Sequence, residues 1–225
     1  MIRLDRLLAN LGYGTRAEVA AMISAGRVAV DDRPARDRAT KVEASSVRID
    51  GAELDHHGDL LIVLNKPVGY VCSHDENEGT RAYDLLPARW LQRNPRIESV
   101  GRLDKDSSGL LLLTDNHALL HRLTSPKHHV PKRYAITLDE PGDAAIIEQF
   151  ASGALLIDGD TKPCLPAQLT LNDGVCAEVV LTEGRYRQVR RMFAACGRTV
   201  VTLHRTHVGA YALGDLKPGT FRVIE

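Results

Sequence analysis

The sequence has no long apolar run and no cysteine pattern, and each of these absences excludes a class of protein. No stretch approaches the roughly 18 apolar residues of a membrane-spanning helix, and the first residues lack the apolar core of a secretory signal. The cysteines are scattered without a C-x-x-C pair, which argues against a disulfide framework or a zinc site. We therefore expect a cytoplasmic protein with no membrane association and no bound metal.

Charge is informative only through its distribution, because 29 Lys and Arg balance 29 Asp and Glu. Residues 183–207 contain six arginines and one acidic residue, and residues 1–50 contain nine basic residues against seven acidic ones. Residues 139–160 contain six acidic residues and no Lys or Arg. Separate basic blocks are compatible with a polyanion bound on one face. Ordinary solvated surfaces would give the same counts, so this alternative stays open.

The first 51 residues have the pattern of a small separate unit with two helices and short strands. Leucines at helical spacing indicate the first helix, namely Leu4, Leu7, Leu8 and Leu11. Thr15 and Glu18 form a capping box that predicts the start of the second helix. Alternating apolar residues at 28–30 and 47–51 predict strands.

The pattern R-L-D-R-L-L-A…T-R-A-E-V…I-S-A-G-R-V-A-V within residues 2–50 resembles the S4 RNA-binding domain. This resemblance implies that arginines of the unit bind RNA, among them Arg3, Arg6, Arg16 and Arg27. The alternative is a helical hairpin that only packs against the rest of the chain. Residues 52–58 show no periodicity and predict a linker, after which residues 59–225 form a larger domain.

The most informative stretch is G-R-L-D-K-D-S-S-G at 101–109, which is followed by four leucines. Its glycines allow tight backbone turns, and Leu110 to Leu113 predict a short buried strand. Asp104 therefore lies at the edge of a core, where a carboxylate is either a turn residue or a catalytic group. Spacing alone does not decide between the two.

The form G-R-L-D-x-D-[ST]-[ST]-G-L resembles the active-site motif of the pseudouridine synthases, in the RsuA-like branch that modifies ribosomal RNA. N-K-P-x-G-Y-V-C-S at 65–73 resembles another motif of that family. The resemblance implies that Asp104 is the catalytic residue and that Tyr134 lies against the target base. It also implies that Leu181 lines the far side of the base. Arg102, next to Asp104, is a candidate to fill the space left by an extruded uridine or to hold the displaced partner base.

Residues 183–196 predict a helix with an apolar face and a neighbouring basic stripe, the latter formed by Arg187, Arg190 and Arg191. Three like charges on one stripe need an anion, either an internal carboxylate or an RNA phosphate. The form E-G-R-x-x-Q-[VI]-[RK]-R-M resembles a third motif of the family, which implies that Arg190 pairs with Asp104. Arg187 and Arg191 are then expected to bind RNA.

We therefore predict an α+β chain with three parts. An S4-like RNA-binding domain covers 1–51, a linker covers 52–58, and a pseudouridine synthase catalytic domain covers 59–225. The catalytic domain is expected to contain a mixed, mainly antiparallel β-sheet with flanking helices.

The predicted activity is the cofactor-free isomerisation of a specific uridine in ribosomal RNA. The segments T-K-P, R-M-F-A-A-x-G and L-H-R resemble the small-subunit enzyme of the family more than its branches that act on 23S rRNA, which implies 16S rRNA as the substrate. We expect a monomer that binds ribosomal RNA within a partly assembled small subunit. The alternatives are a 23S rRNA enzyme and a noncatalytic assembly factor. A glycosidase is disfavoured because Asp104 and Asp106 are two residues apart on a turn and poorly placed to flank a sugar.

Overall fold

The computed structural model describes residues 1–224 and shows three clusters of buried apolar side chains. One lies between Leu4 and Leu54 and belongs to the N-terminal unit. The other two share the strands of a large sheet, with Ile62 and Leu111 in one cluster and Val63 and Leu110 in the other. Because neighbouring residues of a strand point to opposite faces, the two clusters cover the two sides of that sheet.

The N-terminal unit packs two short helices against short antiparallel strands. The Thr15 hydroxyl accepts a hydrogen bond from Glu18 N, and the Glu18 carboxylate accepts one from Thr15 N at 2.7 Å, which confirms the capping box. The helices are α1 (Leu4–Asn10) and α2 (Arg16–Ser24). The strands are β1 (Ile2–Arg3), β2 (Val28–Val30), β3 (Arg33–Pro34), β4 (Lys41–Val42), β5 (Val47–Ile49) and β6 (Ala52–Glu53).

A nine-stranded mixed sheet organises the rest of the chain. Its strands are β7 (Leu61–Lys66), β8 (Glu98–Ser99), β9 (Ser108–Thr114), β10 (Lys132–Leu138), β11 (Gln168–Leu171), β12 (Cys176–Leu181), β13 (Val200–Val208), β14 (Tyr211–Ala212) and β15 (Phe221–Val223). The main order is β11-β12-β10-β13-β9-β7-β15, with β14 beside β13 and β8 beside β9. Only the β13–β9 pair is parallel among the described strand pairs, so the predicted mixed and mainly antiparallel sheet is confirmed.

Three helices flank this sheet: α3 (His117–Thr124), α4 (Ala144–Ala151) and α5 (Gln188–Ala195). Phe150 of α4 and Phe193 of α5 are fully buried and meet with ring centroids 4.8 Å apart. Their contact anchors α5, which borders the site described below. Within residues 1–224, no helix has the length and apolar character needed to cross a membrane.

The parallel contact between β9 and β13 requires a glycine. Gly109 pairs with Arg205 and has a φ of +104°. A Cβ atom at Gly109 would lie 2.3 Å from the Arg205 carbonyl oxygen, far inside van der Waals contact. Only glycine therefore permits β13 to approach the start of β9, which directly follows the 101–107 loop.

The segment predicted as a linker is bonded to both parts of the chain. Ala52 and Glu53 pair with β5, and the backbone N–H of Asp55 donates to the Tyr13 hydroxyl at 3.0 Å. The Asp55 carboxylate in turn accepts hydrogen bonds from Arg89 and from Trp90 Nε1. Packing therefore places the first linker residues with the N-terminal unit, while the predicted domain boundaries stay a prediction.

A buried ion pair holds the end of this segment. Arg93 Nε donates to Asp115 Oδ2 at 2.7 Å, and both side chains are only 4% exposed. The remaining guanidinium nitrogens donate to the carbonyl oxygens of His56 and Gly58, and Asp115 Oδ1 accepts from Leu60 N at 2.7 Å. The pair thus ties the chain entering β7 to the end of β9.

We predict that Arg93→Met destabilises the protein by about 3–5 kcal/mol, because the substitution leaves Asp115 buried without a counter-charge. The matched control is Arg96→Met, which removes an exposed pair with Glu98 and should cost no more than about 1 kcal/mol. Urea unfolding followed by circular dichroism measures both free energies. Equal losses in the two variants would show that the buried pair has no special role.

Candidate active site

A cavity of about 620 Å³ opens beside the 101–107 loop. Its wall contains four residues that the sequence predicted for the site, which are Arg102, Asp104, Tyr134 and Leu181. They come from the 101–107 loop and from β10 and β12, so the fold brings together segments that are far apart in sequence. Arg187 also lines the cavity, whereas Arg190 and Arg191 do not.

Asp104 is half-buried in a turn whose backbone is well fixed. The Asp104 carbonyl accepts a hydrogen bond from Ser107 N at 3.1 Å, and the neighbouring Lys105 carbonyl accepts one from Gly69 N at 2.7 Å. Among residues 1–224 the Asp104 carboxylate itself has no hydrogen-bond or ion-pair partner. Glu183, the other carboxylate of the cavity wall, is bonded to Arg185 and Gln188. Asp104 is therefore the cavity carboxylate left available to a ligand.

The predicted pair between Arg190 and Asp104 is absent from the described structure, and Arg190 contacts Asp106 instead. Arg190 Nη2 donates to the Asp106 carbonyl at 3.0 Å, and Nε lies 3.5 Å from Asp106 Oδ2. Arg190 Nη1 donates to the Val200 carbonyl at 2.6 Å. The two aspartates lie on the same loop, two residues apart. Asp106 is the one that contacts the N-terminal end of α5. Arg190 thus holds the loop that carries Asp104 without touching its carboxylate.

The helix predicted over 183–196 begins later, at Gln188. Arg187 has a left-handed backbone (φ 48°), which no α-helix accommodates, and it precedes the helix as its N-cap. The Gln188 side chain accepts from Arg185 N at 2.9 Å and donates to Glu183, so side-chain bonds hold 183–187 as a loop. These contacts override the helical pattern of the sequence.

Internal carboxylates bond the basic residues Arg187 and Arg191 around α5. Arg187 Nη2 donates to Asp106 Oδ2 at 2.7 Å, and Arg191 Nη2 donates to Asp160 Oδ1 at 2.6 Å. Partial burial acts to raise the pKa of Asp106, but the hydrogen bond from Arg187 and the charges of Arg190 and Arg187 outweigh it. The pKa of Asp106 therefore lies below its ordinary value, and Asp106 is ionised at neutral pH.

Two of the four arginines predicted to bind RNA through the N-terminal unit are engaged internally. Arg3 pairs with Asp5 at 2.8 Å, and Arg27 pairs with Asp50 at 2.5 Å. Arg6 and Arg16 are exposed and have no ion-pair partner within the described chain. The same is true of four further exposed cations, which are Arg33, Arg36, Arg38 and Lys41.

Arg205 is a site residue that the sequence-based prediction missed. It is only 1% exposed and lines the cavity. Its Nε donates to the Leu110 carbonyl at 2.8 Å and its Nη1 to the Arg102 carbonyl at 3.4 Å, on either side of Asp104. Nη2 is buried without a partner in residues 1–224. The L-H-R segment was the available signal, but arginine is rarely buried, so the residue pattern alone did not indicate this position.

Lys66 is a second buried cation beside the Asp104 loop. It is 0% exposed, and its Nζ donates to the carbonyls of Pro67 and Tyr70 at 2.9 and 2.8 Å. Burial lowers the pKa of Lys66, while the nearby Cys72, Asp104 and Asp106 act in the opposite direction. Two buried cations, Lys66 and Arg205, therefore lie beside the loop that carries Asp104.

Lys132 of β10 is a further cation of the cavity wall. Burial lowers the pKa of Lys132, and the charge of Arg205 lowers it further. In the part of the chain that the structure describes, no group of His, Cys, Asp and Glu side chains is arranged to hold a metal ion. The site thus offers one unpaired carboxylate, an aromatic wall and several cations.

Comparisons with known proteins agree with this geometry. Residues 60–195 match the RNA pseudouridylate synthase family, and residues 2–47 match the S4 domain. The ribosomal small subunit pseudouridine synthase A of Vibrio cholerae is 39% identical over 99% of this chain and 96% of that protein. The protein of the same name from Escherichia coli K12 is 39% identical over 98% and 95%. A crystal structure of a pseudouridylate synthase aligns with a TM-score of 0.70 at 33% identity, covering 100% of this chain and 96% of that one.

Fold, cavity and relatives together define an RNA-modifying enzyme. The chain belongs to the RNA pseudouridylate synthase family, in the form that carries an N-terminal S4 domain. The resemblance of the three sequence motifs to that family is thereby confirmed, as is the predicted α+β fold.

We predict that Asp106→Asn and Arg190→Met each slow isomerisation by about tenfold to 100-fold, because either change frees the loop that positions Asp104. The two residues contact each other, so the double variant should be little worse than the slower single variant. Single-turnover rates with saturating enzyme measure the effect apart from RNA affinity.

Arg191→Met combined with Asp106→Asn is the control, since Arg191 pairs with Asp160 and not with Asp106. These two changes should multiply their effects on the rate. Multiplicative losses for Asp106→Asn with Arg190→Met would contradict a shared role in holding the loop.

Proposed function

We propose that this enzyme converts a specific uridine of ribosomal RNA, in small-subunit 16S rRNA, to pseudouridine with Asp104 as the reacting carboxylate. The observation that carries the proposal is the unpaired Asp104 carboxylate in a cavity whose other acidic group, Glu183, is bonded internally. Relatives with 37–39% identity over nearly the whole chain are named ribosomal small subunit pseudouridine synthase A, which supports this choice of RNA.

The reaction breaks the bond from uracil N1 to ribose C1′, turns the freed base and joins C5 to C1′. It is an isomerisation and consumes no oxidant or energy source. A carboxylate has two ways to assist, by attacking C1′ or by removing the C2′ proton. Both ways require an ionised carboxylate at position 104.

The shape of the cavity suits a base extruded from folded RNA. A paired uridine must leave its stack before a carboxylate can reach its ribose. Tyr134 on β10 and Leu181 on β12 are buried in the wall and provide an aromatic and an aliphatic surface for the base. We assign Tyr134 to the face of the uracil, with a part in removing the C5 proton, and Leu181 to the far side. Exposed Arg102 then fills the vacated stack or holds the displaced partner base.

The S4 domain provides further contacts to the RNA, outside the cavity. Its exposed cations without internal partners are suited to phosphate, and Arg6 and Arg16 lie among them. Arg3 and Arg27 are occupied by aspartates and contribute less. We further propose that the enzyme acts as a monomer on a partly assembled small subunit, in the cytoplasm.

We predict that Asp104→Asn abolishes isomerisation and leaves RNA affinity near normal, because the amide keeps the shape but loses charge and basicity. Asp173→Asn, an exposed carboxylate in a turn, is the matched control and should retain the wild-type rate. Pseudouridine mapping of ribosomal RNA from cells with and without the gene identifies the substrate. Substantial pseudouridine formation by purified Asp104→Asn protein would refute the assignment, and a site in 23S rRNA would replace the proposed substrate.

We also predict that Arg6→Met and Arg16→Met each weaken RNA binding and lower its salt slope by about one unit, since each removes a phosphate contact. Arg3→Met and Arg27→Met are matched controls, because their charges are already paired, and should change the slope less. Binding titrations between low and moderate salt give the slopes. Identical slopes for all four variants would count against RNA contacts at Arg6 and Arg16.

A further inference from the structure

Tyr186 is an aromatic side chain exposed to solvent at the cavity. It is 72% exposed, and it lines the same cavity as Asp104 and Tyr134. Tyr134, by contrast, is buried in the wall. The cavity therefore has one aromatic ring inside and a second ring outside at its rim, and the outer ring has no role in the mechanism described above.

The backbone that carries Tyr186 is fixed on both sides. The preceding Arg185 donates to the Asp160 carboxylate at 2.8 Å and to the carbonyls of Lys162 and Pro163 at 2.7 and 2.6 Å. The carbonyl of Tyr186 accepts a hydrogen bond from Arg191 Nη1 at 3.0 Å. The ring is thus presented to solvent from a rigid loop, so little conformational freedom is lost when a ligand covers it.

The surroundings of the ring are basic. Arg187 follows it directly and bonds Asp106, and Arg102 and Lys132 line the same cavity. A flat apolar ring next to cations is the combination that binds single-stranded RNA, since bases stack on aromatic faces while cations attract phosphates.

We propose that Tyr186 is a stacking platform for the base of a nucleotide adjacent to the target uridine. This subsite lies at the rim and is separate from the inner pocket that receives the uridine. The inference rests on the proposed function, because it takes the ligand to be RNA with an extruded uridine. It adds a contact that orders the flanking strand and so helps to select the RNA that enters.

The test combines Tyr186 variants with abasic RNA. The probe is an RNA oligonucleotide that contains the target uridine identified by mapping. A set of abasic copies is made, and each copy lacks the base of one nucleotide next to that uridine. Dissociation constants are measured in the Asp104→Asn background, so that the RNA is not converted. Tyr186→Ala should weaken binding of the intact oligonucleotide about tenfold. For the one abasic copy that lacks the stacked base, Tyr186→Ala should not weaken binding beyond the loss that the missing base already causes.

Two conservative variants separate stacking from other contacts. Tyr186→Phe keeps the ring and should bind like the parent protein, whereas Tyr186→Leu removes the ring and should weaken binding nearly as much as Tyr186→Ala. Val201→Ala is the matched control, because Val201 is also an exposed apolar residue but lies outside the cavity, and it should not change binding.

The outcomes distinguish the inference from the proposed function. Equal losses from Tyr186→Ala with intact RNA and with every abasic copy, or no loss at all, would overturn the stacking platform even if wild-type enzyme forms pseudouridine. A wild-type enzyme that binds the RNA without forming pseudouridine would overturn the proposed function. In that case, the comparison of Tyr186→Ala on intact and abasic RNA would still decide whether Tyr186 stacks on a base.

Discussion

The close contact of β9 with β13 at Gly109 is the constraint on which the rest of the site depends. It brings the only parallel strand pair of the described sheet directly behind the 101–107 loop. Arg205 can then reach the carbonyls of Arg102 and Leu110 from the neighbouring strand. A side chain at position 109 would push the strands apart and remove this support. The position of Asp104 is therefore set by backbone contacts of a sheet, and not by contacts of its own carboxylate.

The ion pairs around the cavity leave one carboxylate of its wall, Asp104, without a partner in residues 1–224. Asp106 and Asp160 are each bonded to two arginines, counting the Nε contact of Arg190, and these ion pairs are used to position loops. The buried cations Lys66 and Arg205 have only carbonyl oxygens as hydrogen-bond partners in the described chain. Arg205 bonds the carbonyls of Arg102 and Leu110, on either side of Asp104, so its charge lies next to the loop that carries this unpaired carboxylate.

Local signals in the sequence predicted individual helices and strands. The capping box of Thr15 and Glu18 and the strand at Leu110 to Leu113 depend on neighbouring residues, so they could be predicted from sequence alone. The partner of Arg190 could not be predicted from sequence, because it depends on the directions in which the side chains of Asp104 and Asp106 point from the same loop. The left-handed Arg187 and the buried Lys66 and Arg205 contradict ordinary preferences of their residue types and become understandable only once the strands are in place. The motif resemblance supplied the family, which composition left open.

The anchored linker has a consequence for how the enzyme selects its substrate. Asp55, Arg89, Trp90 and the Arg93–Asp115 pair fix the S4 domain to the large sheet, and Asn94 N donates to the Asn10 carbonyl of α1 at 2.8 Å. An RNA that is held by the S4 domain meets the cavity at a set distance and angle. If RNA binds as we propose, the spacing between the RNA feature held by the S4 domain and a uridine decides which uridine reaches the cavity. Since the S4 domain and the cavity are held in a fixed relative orientation, an RNA bound at the S4 domain loses little further orientational entropy when its uridine enters the cavity.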